Sequence, residues 1–226
     1  MSQITFEGVS HSFDDRNVLL NINLDLTERR IAIVGANGSG KSTLARMING
    51  LVVPGTGTVR VDGLDVARKG KDVRRRVGFV FTNPDNQIVM PTVQEDVAFT
   101  LRRRGLSAEQ IAEKTAVALD RFGLTAHADH PAHRLSGGQK QLLALAAVLV
   151  SDPAVIVADE PTTLLDARNA RRISELFMSL DQQVIMVTHH LEFIEDFDRV
   201  IVIDEGEVVA DARPAEALSM YRDLVS

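Results

Sequence analysis

The residues best suited to chemistry lie in a nine-residue stretch, GANGSGKST, at positions 35–43. The stretch follows the apolar run 31–34 and fits the pattern G-x-x-x-x-G-K-[ST]. Its glycines let the backbone curl so that successive N–H groups point inward at the start of a helix, which favours a bound anion. Lys41 would reach the terminal phosphates of a nucleoside triphosphate, and the Ser42 hydroxyl would ligate Mg²⁺. The alternative is a glycine-rich strand-to-helix turn that binds nothing.

The nucleotide-binding residues predicted from this stretch share one loop and the first turn of the helix after it. They are Asn37, Gly38, Ser39, Gly40, Lys41, Ser42 and Thr43.

A pair of acids follows a second apolar run, at residues 155–158. A carboxylate at the end of a buried strand suits Mg²⁺ coordination in an α/β nucleotide site, so Asp159 is the predicted metal-side residue. Glu160 would polarise or orient the attacking water, because phosphoryl transfer needs mainly positioning and charge stabilisation. The alternative is that both acids lie on the surface and cap the next helix.

A second anion-binding helix terminus is predicted at LSGGQ, residues 135–139, immediately before the apolar stretch 142–150. A Ser-Gly-Gly turn offers a hydroxyl, backbone N–H groups and the positive end of a helix dipole. Within its own chain this terminus has no obvious ligand. Two chains packed head to tail would give it one, because Ser136, Gly137, Gly138 and Gln139 would then cap the γ-phosphate held by Lys41 of the other chain.

The elements that must position these residues indicate an α/β fold. Apolar runs at 155–158 and 184–187 suit strands buried on both faces of a parallel sheet. Alternating stretches in the first thirty residues and an Asp-Gly turn at 62–63 predict an antiparallel β part. A helical stretch follows, including a capping box at 107–110. We expect one domain, with a β core at about 1–81 and 152–226 and a helical subdomain at about 82–151.

Bulk composition excludes several classes of protein. The net charge of −6 argues against non-specific nucleic-acid binding, and the absence of cysteine excludes disulfides and thiolate zinc sites. No stretch approaches the ~20 apolar residues of a bilayer span, and no secretory signal is visible, so we expect a cytoplasmic protein. Two arginine runs, 74–76 and 102–104, are interpreted as solvated faces, with partner or lipid-headgroup contact as the alternative.

The ordered motifs together resemble the ATP-binding-cassette (ABC) ATPases, and the resemblance covers nearly the whole chain. The motifs are GANGSGKST at 35–43, LSGGQ at 135–139, VIVADEP at 155–161, Leu164-Leu165-Asp166, and Thr188-His189. LSGGQ upstream of an apolar strand ending in Asp-Glu is the specific part, whereas many NTPase classes share the phosphate loop. The resemblance implies a P-loop NTPase core of RecA-like type, with an antiparallel β subdomain and an inserted helical subdomain.

The same resemblance implies roles for further residues. Phe13 would stack on adenine, Asp166 would bridge two protomers, and His189 would contact the γ-phosphate, joining Lys41 and Glu160 as catalytic residues. For Phe13 the alternative is a core aromatic. The implied cofactors are ATP and Mg²⁺, and the implied partner is a second ATPase protomer, either identical or a related paralogue.

A finer resemblance is to the ATPases of energy-coupling-factor (ECF) transporters, which import vitamins and transition-metal ions. It rests on FTNPDNQ at 81–87, PTVQEDVAF at 91–99 and HHLE at 189–192. It implies a transmembrane scaffold protein docking near Gln87, a substrate-binding membrane protein acting indirectly, and a position on the inner face of the cell membrane. A biotin system is favoured, with cobalt and nickel systems next.

The sequence departs from the family pattern at Thr82, where these ATPases normally have a glutamine that senses Mg²⁺ and the γ-phosphate. A threonine hydroxyl is shorter, so Thr82 could ligate the metal only through water. Gln87 lies too far along the chain to be assumed a substitute. The segment 163–166 also lacks the small residues usual before its Asp.

Two other functions stay open at this level. One is a soluble ABC ATPase of nucleic-acid or ribosome maintenance, although the acidic balance and the single cassette count against it. The other is an unrelated P-loop kinase with a small acceptor, in which the Ser-Gly-Gly turn would have no role.

Overall fold

The structure, a computed structural model, describes residues 1–102 and 104–225. Arg103, in the middle of the second arginine run, and Ser226 lie outside the described residues. The chain forms two compact units. The first comprises Met1–Phe79, Ala154–Glu160 and Phe177–Ser226, and the second comprises Val80–Pro153 and Pro161–Leu176.

The strands are β1 (Ile4–Phe13), β2 (Arg16–Leu26), β3 (Arg30–Val34), β4 (Thr56–Val61), β5 (Leu64–Asp65), β6 (Val77–Val80), β7 (Val155–Asp159), β8 (Gln183–Val187), β9 (Arg199–Asp204) and β10 (Glu207–Ala212). The helices are α1 (Lys41–Ile48), α2 (Gly70–Arg76), α3 (Val93–Leu101), α4 (Ala108–Arg121), α5 (Gly137–Leu149), α6 (Ala167–Ser179) and α7 (Pro214–Val225). Within the described part of the chain, no helix is both long and apolar enough to cross a membrane.

An antiparallel sheet of four strands, in the order β2-β1-β4-β5, forms one layer of the first unit. Its inward-facing residues include Ile4, Phe6 and Val9, which are almost fully buried and account for the alternation in the sequence. The turn between β4 and β5 has positive φ at Asp62 (49°) and Gly63 (76°), as a two-residue hairpin requires. The predicted hairpin at this turn is therefore confirmed.

The other sheet has six strands in the order β10-β9-β3-β8-β7-β6. Strand β3 runs parallel to both β8 and β9, and β7 runs parallel to β8. Every residue of β3, β7 and β8 is buried, which explains their continuous apolar runs. The hairpin of β9 and β10 turns at Glu205 and Gly206, both at positive φ. The predicted parallel α/β sheet is confirmed.

Helices dominate the second unit, and their ends follow the capping signals. Ser107 and Gln110 form a reciprocal capping box at the start of α4, and Gly123 follows its end at φ 68°. Helix α5 begins at Gly137, where Ser136 caps it, so the helix terminus predicted at residues 135–139 is present.

Helix α2 was not predicted, and it carries the first arginine run. Only Val73 of this helix is buried, so the segment shows no apolar periodicity. Arg75 lies 3.8 Å from Asp72 and Arg76 lies 3.0 Å from Asp62, measured between charged atoms. Exposed arginines paired with nearby acids fit a solvated face.

Asp96 on α3 fixes the segment that precedes this helix. Its side chain is buried, and its Oδ1 accepts hydrogen bonds from the backbone N–H of Val89 (2.8 Å) and Met90 (3.0 Å). Burial raises the pKa of Asp96, and the two N–H donors act in the opposite direction. The segment after Gln87 is therefore bound to α3 through a buried, desolvated carboxylate.

Replacing Asp96 with Asn should change how stability depends on pH. Because the folded-state pKa lies above the ordinary 3.8, the stabilisation by this group is present below that value and is lost as pH rises through the folded-state pKa. Asparagine does not titrate. The free energy of unfolding of Asp96→Asn relative to wild type should therefore increase as pH rises from about 4 through the folded-state pKa of Asp96.

Urea titrations of both proteins at several pH values measure this difference. A difference that is constant with pH, or that falls as pH rises, would contradict the assignment.

Candidate nucleotide-binding site

The phosphate loop connects β3 to α1 along a path that only glycine can follow. Gly35, Gly38 and Gly40 have φ values of 148°, 82° and 107°. A Cβ on Gly35 would lie 2.0 Å from the backbone oxygen of Ile203, and one on Gly40 would lie 2.5 Å from that of Val18. Two of the glycines are therefore required by close backbone contacts as well as by their dihedral angles.

The loop is also anchored by hydrogen bonds to the neighbouring hairpin. The N–H of Gly206 donates to the backbone oxygen of Ser39 (3.1 Å), and the backbone oxygen of Gly206 accepts from the N–H of Leu20 (2.8 Å). The Ser39 side chain is buried, and its Oγ has no hydrogen-bond partner among the described residues. No side chain caps α1, and its first turn has no acid. A positive helix end beside an unsatisfied hydroxyl fits a phosphate ligand.

Lys41 is folded back onto the loop. Its Nζ donates to the backbone oxygens of Gly35 (2.8 Å) and Ala36 (2.7 Å), and the residue is buried. Burial lowers the pKa of Lys41, while the charges of Glu160 and Asp159 oppose that shift. The ammonium is thus already partnered by the loop that would bring phosphates to it.

Asp159 ends β7 with both carboxylate oxygens engaged. Oδ1 accepts from the Ser42 hydroxyl at 2.7 Å, and Oδ2 accepts from Nη2 of Arg46 at 3.0 Å. Ser42 and Arg46 are four residues apart on α1 and so face the same way. A hydroxyl next to a carboxylate is an oxygen donor set that suits Mg²⁺. Sequence reasoning missed Arg46, although its spacing from Ser42 was a usable signal.

Glu160 is held in an unusual conformation beside His189. Its φ is 54°, in the left-handed region, where a non-glycine residue costs ~1–3 kcal/mol. Its N–H donates to the Val187 oxygen (2.9 Å), and Oε2 lies 2.6 Å from Nδ1 of His189. Because a carboxylate only accepts, Nδ1 of His189 carries the hydrogen in this contact. The strained backbone therefore aims the Glu160 carboxylate at the end of β8.

Phe13 lies at the tip of the hairpin formed by β1 and β2. Its side chain is 51% exposed, so it is not the core aromatic that was considered as an alternative. The ring of His11 meets it edge-on, with centroids 4.6 Å apart and planes at 82°. A supported, exposed aromatic ring offers a face on which a base can stack.

In the second unit, the signature loop LSGGQ forms the start of α5. Ser136 accepts from the Gln139 N–H (3.3 Å), and Gln139 Oε1 accepts from the Ser136 N–H (2.9 Å). The Gln139 amide also lies 2.9 Å from Nε2 of His127. The capping box therefore shapes this loop and leaves the hydroxyl hydrogen of Ser136 available to donate.

Asn169 joins Asp166 to the signature loop. Asp166 accepts from the backbone N–H of Asn169 (2.9 Å) and from its side-chain amide (2.7 Å), and these bonds lower the pKa of Asp166. A Cβ on Gly138 would lie 2.8 Å from Cγ of Asn169. The Asn169 side chain would therefore have to move to accommodate a side chain at position 138, a contact that the sequence alone did not indicate.

Gln87 ties the segment after β6 to α5. Its Oε1 accepts from the Phe81 N–H (3.3 Å), and its Nε2 donates to the Ala144 oxygen (3.1 Å). Lys140 and Asp85 add an ion pair of 2.7 Å between the same elements. Thr82, half-buried, lies directly after β6 in this unit. Because both the oxygen and the nitrogen of its amide are hydrogen-bonded, Gln87 stabilises the packing of this segment against α5.

The structure thus distributes the predicted site residues over both units. The first unit holds the phosphate loop, Phe13, Asp159, Glu160 and His189; the second holds Thr82, the signature loop and Asp166.

The profile of the ABC transporter family matches residues 19–163, which is more than half of the chain. The chain belongs to the ABC transporter family. The predicted membership of the ABC ATPase family is confirmed, and so is the expectation of an ABC-type ATPase.

Two relatives of this ABC ATPase match it over almost their whole length. One, from Deinococcus radiodurans, is 52% identical over 97% of each chain. It is named as an ABC transporter ATP-binding protein, and the name gives no cargo. The other, the biotin transport ATP-binding protein BioM of Rhizobium etli, is 45% identical over 99% of each chain.

Two solved structures share the fold of this ABC ATPase. CbiO1 of Clostridium perfringens, part of the ABC transporter complex cbiONQ, has a TM-score of 0.84 at 32% identity, with 98% of this chain and 92% of that one covered. An ATP-binding cassette solved as a dimer in a post-hydrolysis state with ADP and Pi has a TM-score of 0.82 at 30% identity, with 93% and 98% covered. The predicted fold class is confirmed.

Replacing Gly35 with Ala should destabilise this ABC ATPase. The added Cβ would meet a backbone oxygen at 2.0 Å, so the loop must move away from Ile203, at a cost of roughly 3 kcal/mol in the free energy of unfolding. The matched control is Gly137→Ala, where a Cβ has nothing within 4 Å and φ is not positive. The control should stay within about 1 kcal/mol of wild type.

Chemical unfolding of the three proteins measures these values. Equal stability of the two variants would show that the phosphate loop does not depend on its contact with Ile203.

Proposed function

We propose that this chain is the ATP-binding and ATP-hydrolysing subunit of a membrane importer of the ECF type, with biotin as the favoured cargo and cobalt or nickel next. One observation carries the enzymatic part: the phosphate loop, the Ser42–Asp159 contact and the Glu160–His189 contact lie together in one unit. The relative named for biotin transport supports the cargo. The more similar relative from Deinococcus radiodurans carries no cargo in its name, so the cargo needs a direct test.

The phosphate loop would hold the nucleotide. Backbone N–H groups of residues 37–43 and the Ser39 hydroxyl, which has no partner among the described residues, would bind phosphate oxygens. Lys41 would exchange its contacts with Gly35 and Ala36 for contacts with phosphates. Phe13 would support the base, because its exposed ring is the aromatic surface at the neighbouring hairpin tip.

Ser42 and Asp159 would hold the magnesium ion, since their oxygens already lie 2.7 Å apart. When bound, Mg²⁺ would neutralise charge on the phosphate oxygens. Arg46 would keep the Asp159 carboxylate oriented through its own contact with Oδ2. Thr82 would take part only through water, because its hydroxyl is shorter than the glutamine of related ATPases.

Glu160 and His189 would act on the attacking water and the terminal phosphate. The Glu160 carboxylate, fixed by its backbone and by His189, would accept or orient the hydrogen of the water. His189 is about half exposed and would present its other ring nitrogen to the γ-phosphate.

A second protomer would complete each site. The signature residues Ser136 to Gln139 form a helix N-terminus with an available hydroxyl, and Asp166 lies in contact with the same loop through Asn169. In a head-to-tail dimer this surface would cover the phosphates bound by the other chain. The solved dimer of a related cassette supports such an assembly.

A transmembrane scaffold would dock near Gln87 on the inner face of the cell membrane, and a substrate-binding membrane protein would act through it. The segment is suited to relay motion, because Gln87 and Asp85 both bond to α5, which begins with the signature loop. Val89 next to it is 64% exposed and offers an apolar contact.

Replacing Glu160 with Gln should separate binding from hydrolysis. The amide keeps the size of the side chain but cannot accept the proton, so ATP should still bind while turnover falls by at least about 100-fold. Unhydrolysed ATP should trap the dimer. Phosphate release, ATP titration and size-exclusion chromatography measure the three effects.

Glu192→Gln is the matched control, because Glu192 contacts His190 at 3.3 Å and has no proposed catalytic role. Turnover of Glu160→Gln that equals the control would rule out the proposed role of Glu160.

The importer function is tested by uptake. Membrane vesicles carrying the chain together with a scaffold protein and a substrate-binding protein of its transporter should accumulate labelled biotin when ATP is inside, and should fail to do so with Glu160→Gln. Uptake of cobalt or nickel instead would assign the cargo to the metal class. Recovery of the chain with RNA and without membrane proteins would support the nucleic-acid alternative and refute the importer.

A further inference from the structure

Arg16 links the hairpin tip to the phosphate loop. It is the direct partner of Phe13 across the turn between β1 and β2. Its Nη2 lies 3.4 Å from the position that a Cβ on Gly38 would occupy. The guanidinium therefore extends from the strand opposite the exposed aromatic ring to the glycine in the middle of the phosphate loop.

No described residue forms an ion pair with the guanidinium of Arg16. Among the residues that the structure describes, the Arg16 side chain has no ion pair and no hydrogen bond, although Asp14 and Asp15 precede it in the chain. Several other arginines of the same unit are paired, for example Arg60 with Glu7 at 2.6 Å and Arg199 with Asp211 at 2.6 Å. A solvated surface arginine would explain the missing pair but not its position against Gly38.

The surroundings favour an anion over any other ligand. The N-terminus of α1 has no capping side chain and no acid, and Lys41 is turned inward onto Gly35 and Ala36. Arg16 thus places a second cation next to the loop at Gly38, while Lys41 donates to the carbonyls of Gly35 and Ala36. A guanidinium presents several N–H donors in one plane and can contact two phosphate oxygens together, which a lysine ammonium does less well.

We propose that Arg16 is a phosphate ligand of the bound nucleotide, contacting phosphate oxygens between the base end at Phe13 and the loop at Gly38. This proposal rests on the proposed function, because it assigns one more residue to the same site. Arg16 contributes a positive charge and orients the phosphates at the part of the nucleotide that the N-terminus of α1 and Lys41 do not reach.

The test compares nucleotide affinity in four proteins: wild type, Arg16→Ala, Arg16→Lys and the control Arg68→Ala. Arg68 is an exposed arginine of the same unit, 3.9 Å from Asp65, so its removal changes the net charge equally. Isothermal titration with ATP and with ADP, without Mg²⁺, gives the Kd values. Arg16→Ala should weaken both nucleotides about tenfold, as expected for loss of a charge-assisted hydrogen bond.

The two other variants sharpen the result. Arg68→Ala should bind like wild type, and Arg16→Lys should lie between wild type and Arg16→Ala, because it keeps the charge but loses the planar donors. The ratio of Kd values between Arg16→Ala and wild type should shrink as salt is raised, since the contact is ionic. Thermal unfolding without nucleotide should be the same for Arg16→Ala and Arg68→Ala.

Unchanged Kd values in Arg16→Ala, or a loss that does not depend on salt, would overturn the proposal. If Arg16→Ala unfolds at a lower temperature, Arg16→Gln replaces it, because glutamine keeps the length of the stem, and the same criteria apply. Failure of wild type to bind ATP would count against the proposed function. Tight binding by wild type with no change in the variants would count against Arg16 alone.

Discussion

The phosphate loop has its shape because its backbone passes closer to two neighbouring strands than any side chain would allow. The carbonyl of Ile203 faces Gly35, and that of Val18 faces Gly40, so the loop is held from both sides without using a side chain. Within the loop, the N–H of Ser39 donates to the backbone oxygen of Ala36 at 3.2 Å. The start of α1 is fixed as a result, and with it the direction in which Ser42 and Arg46 reach Asp159.

Local chemistry explains how much of this arrangement could be predicted from the sequence. The turns at Asp62-Gly63 and Glu205-Gly206 require positive φ, and the continuous apolar runs of β7 and β8 require burial on both faces. Each of these features depends on residues near one another in the chain. The phosphate loop and the acids that end β7 also depend on residues near one another in the chain. Both follow strands of one parallel sheet, so both lie at the edge formed by the carboxyl ends of those strands.

The contacts that escaped prediction join residues far apart in sequence or depend on the reach of a long side chain. Arg46 meets Asp159 across 113 positions, and Asn169 packs on Gly138 only because two elements of the second unit come together. Arg16 has the type of an ordinary surface residue, and its position over Gly38 follows from how a hairpin lies against a loop. Helix α2 was missed for a different reason, since one buried residue gives no period to detect.

The inward position of Lys41 has a consequence for nucleotide affinity. Its ammonium donates hydrogen bonds to two carbonyls of its own loop, which it supports from inside. Nucleotide binding then replaces one set of partners for this cation with another, and the free energy gained through Lys41 is only the difference between the two sets. The affinity of the site should consequently depend more on groups that are unsatisfied beforehand, such as the Ser39 hydroxyl, than on the lysine that marks the motif.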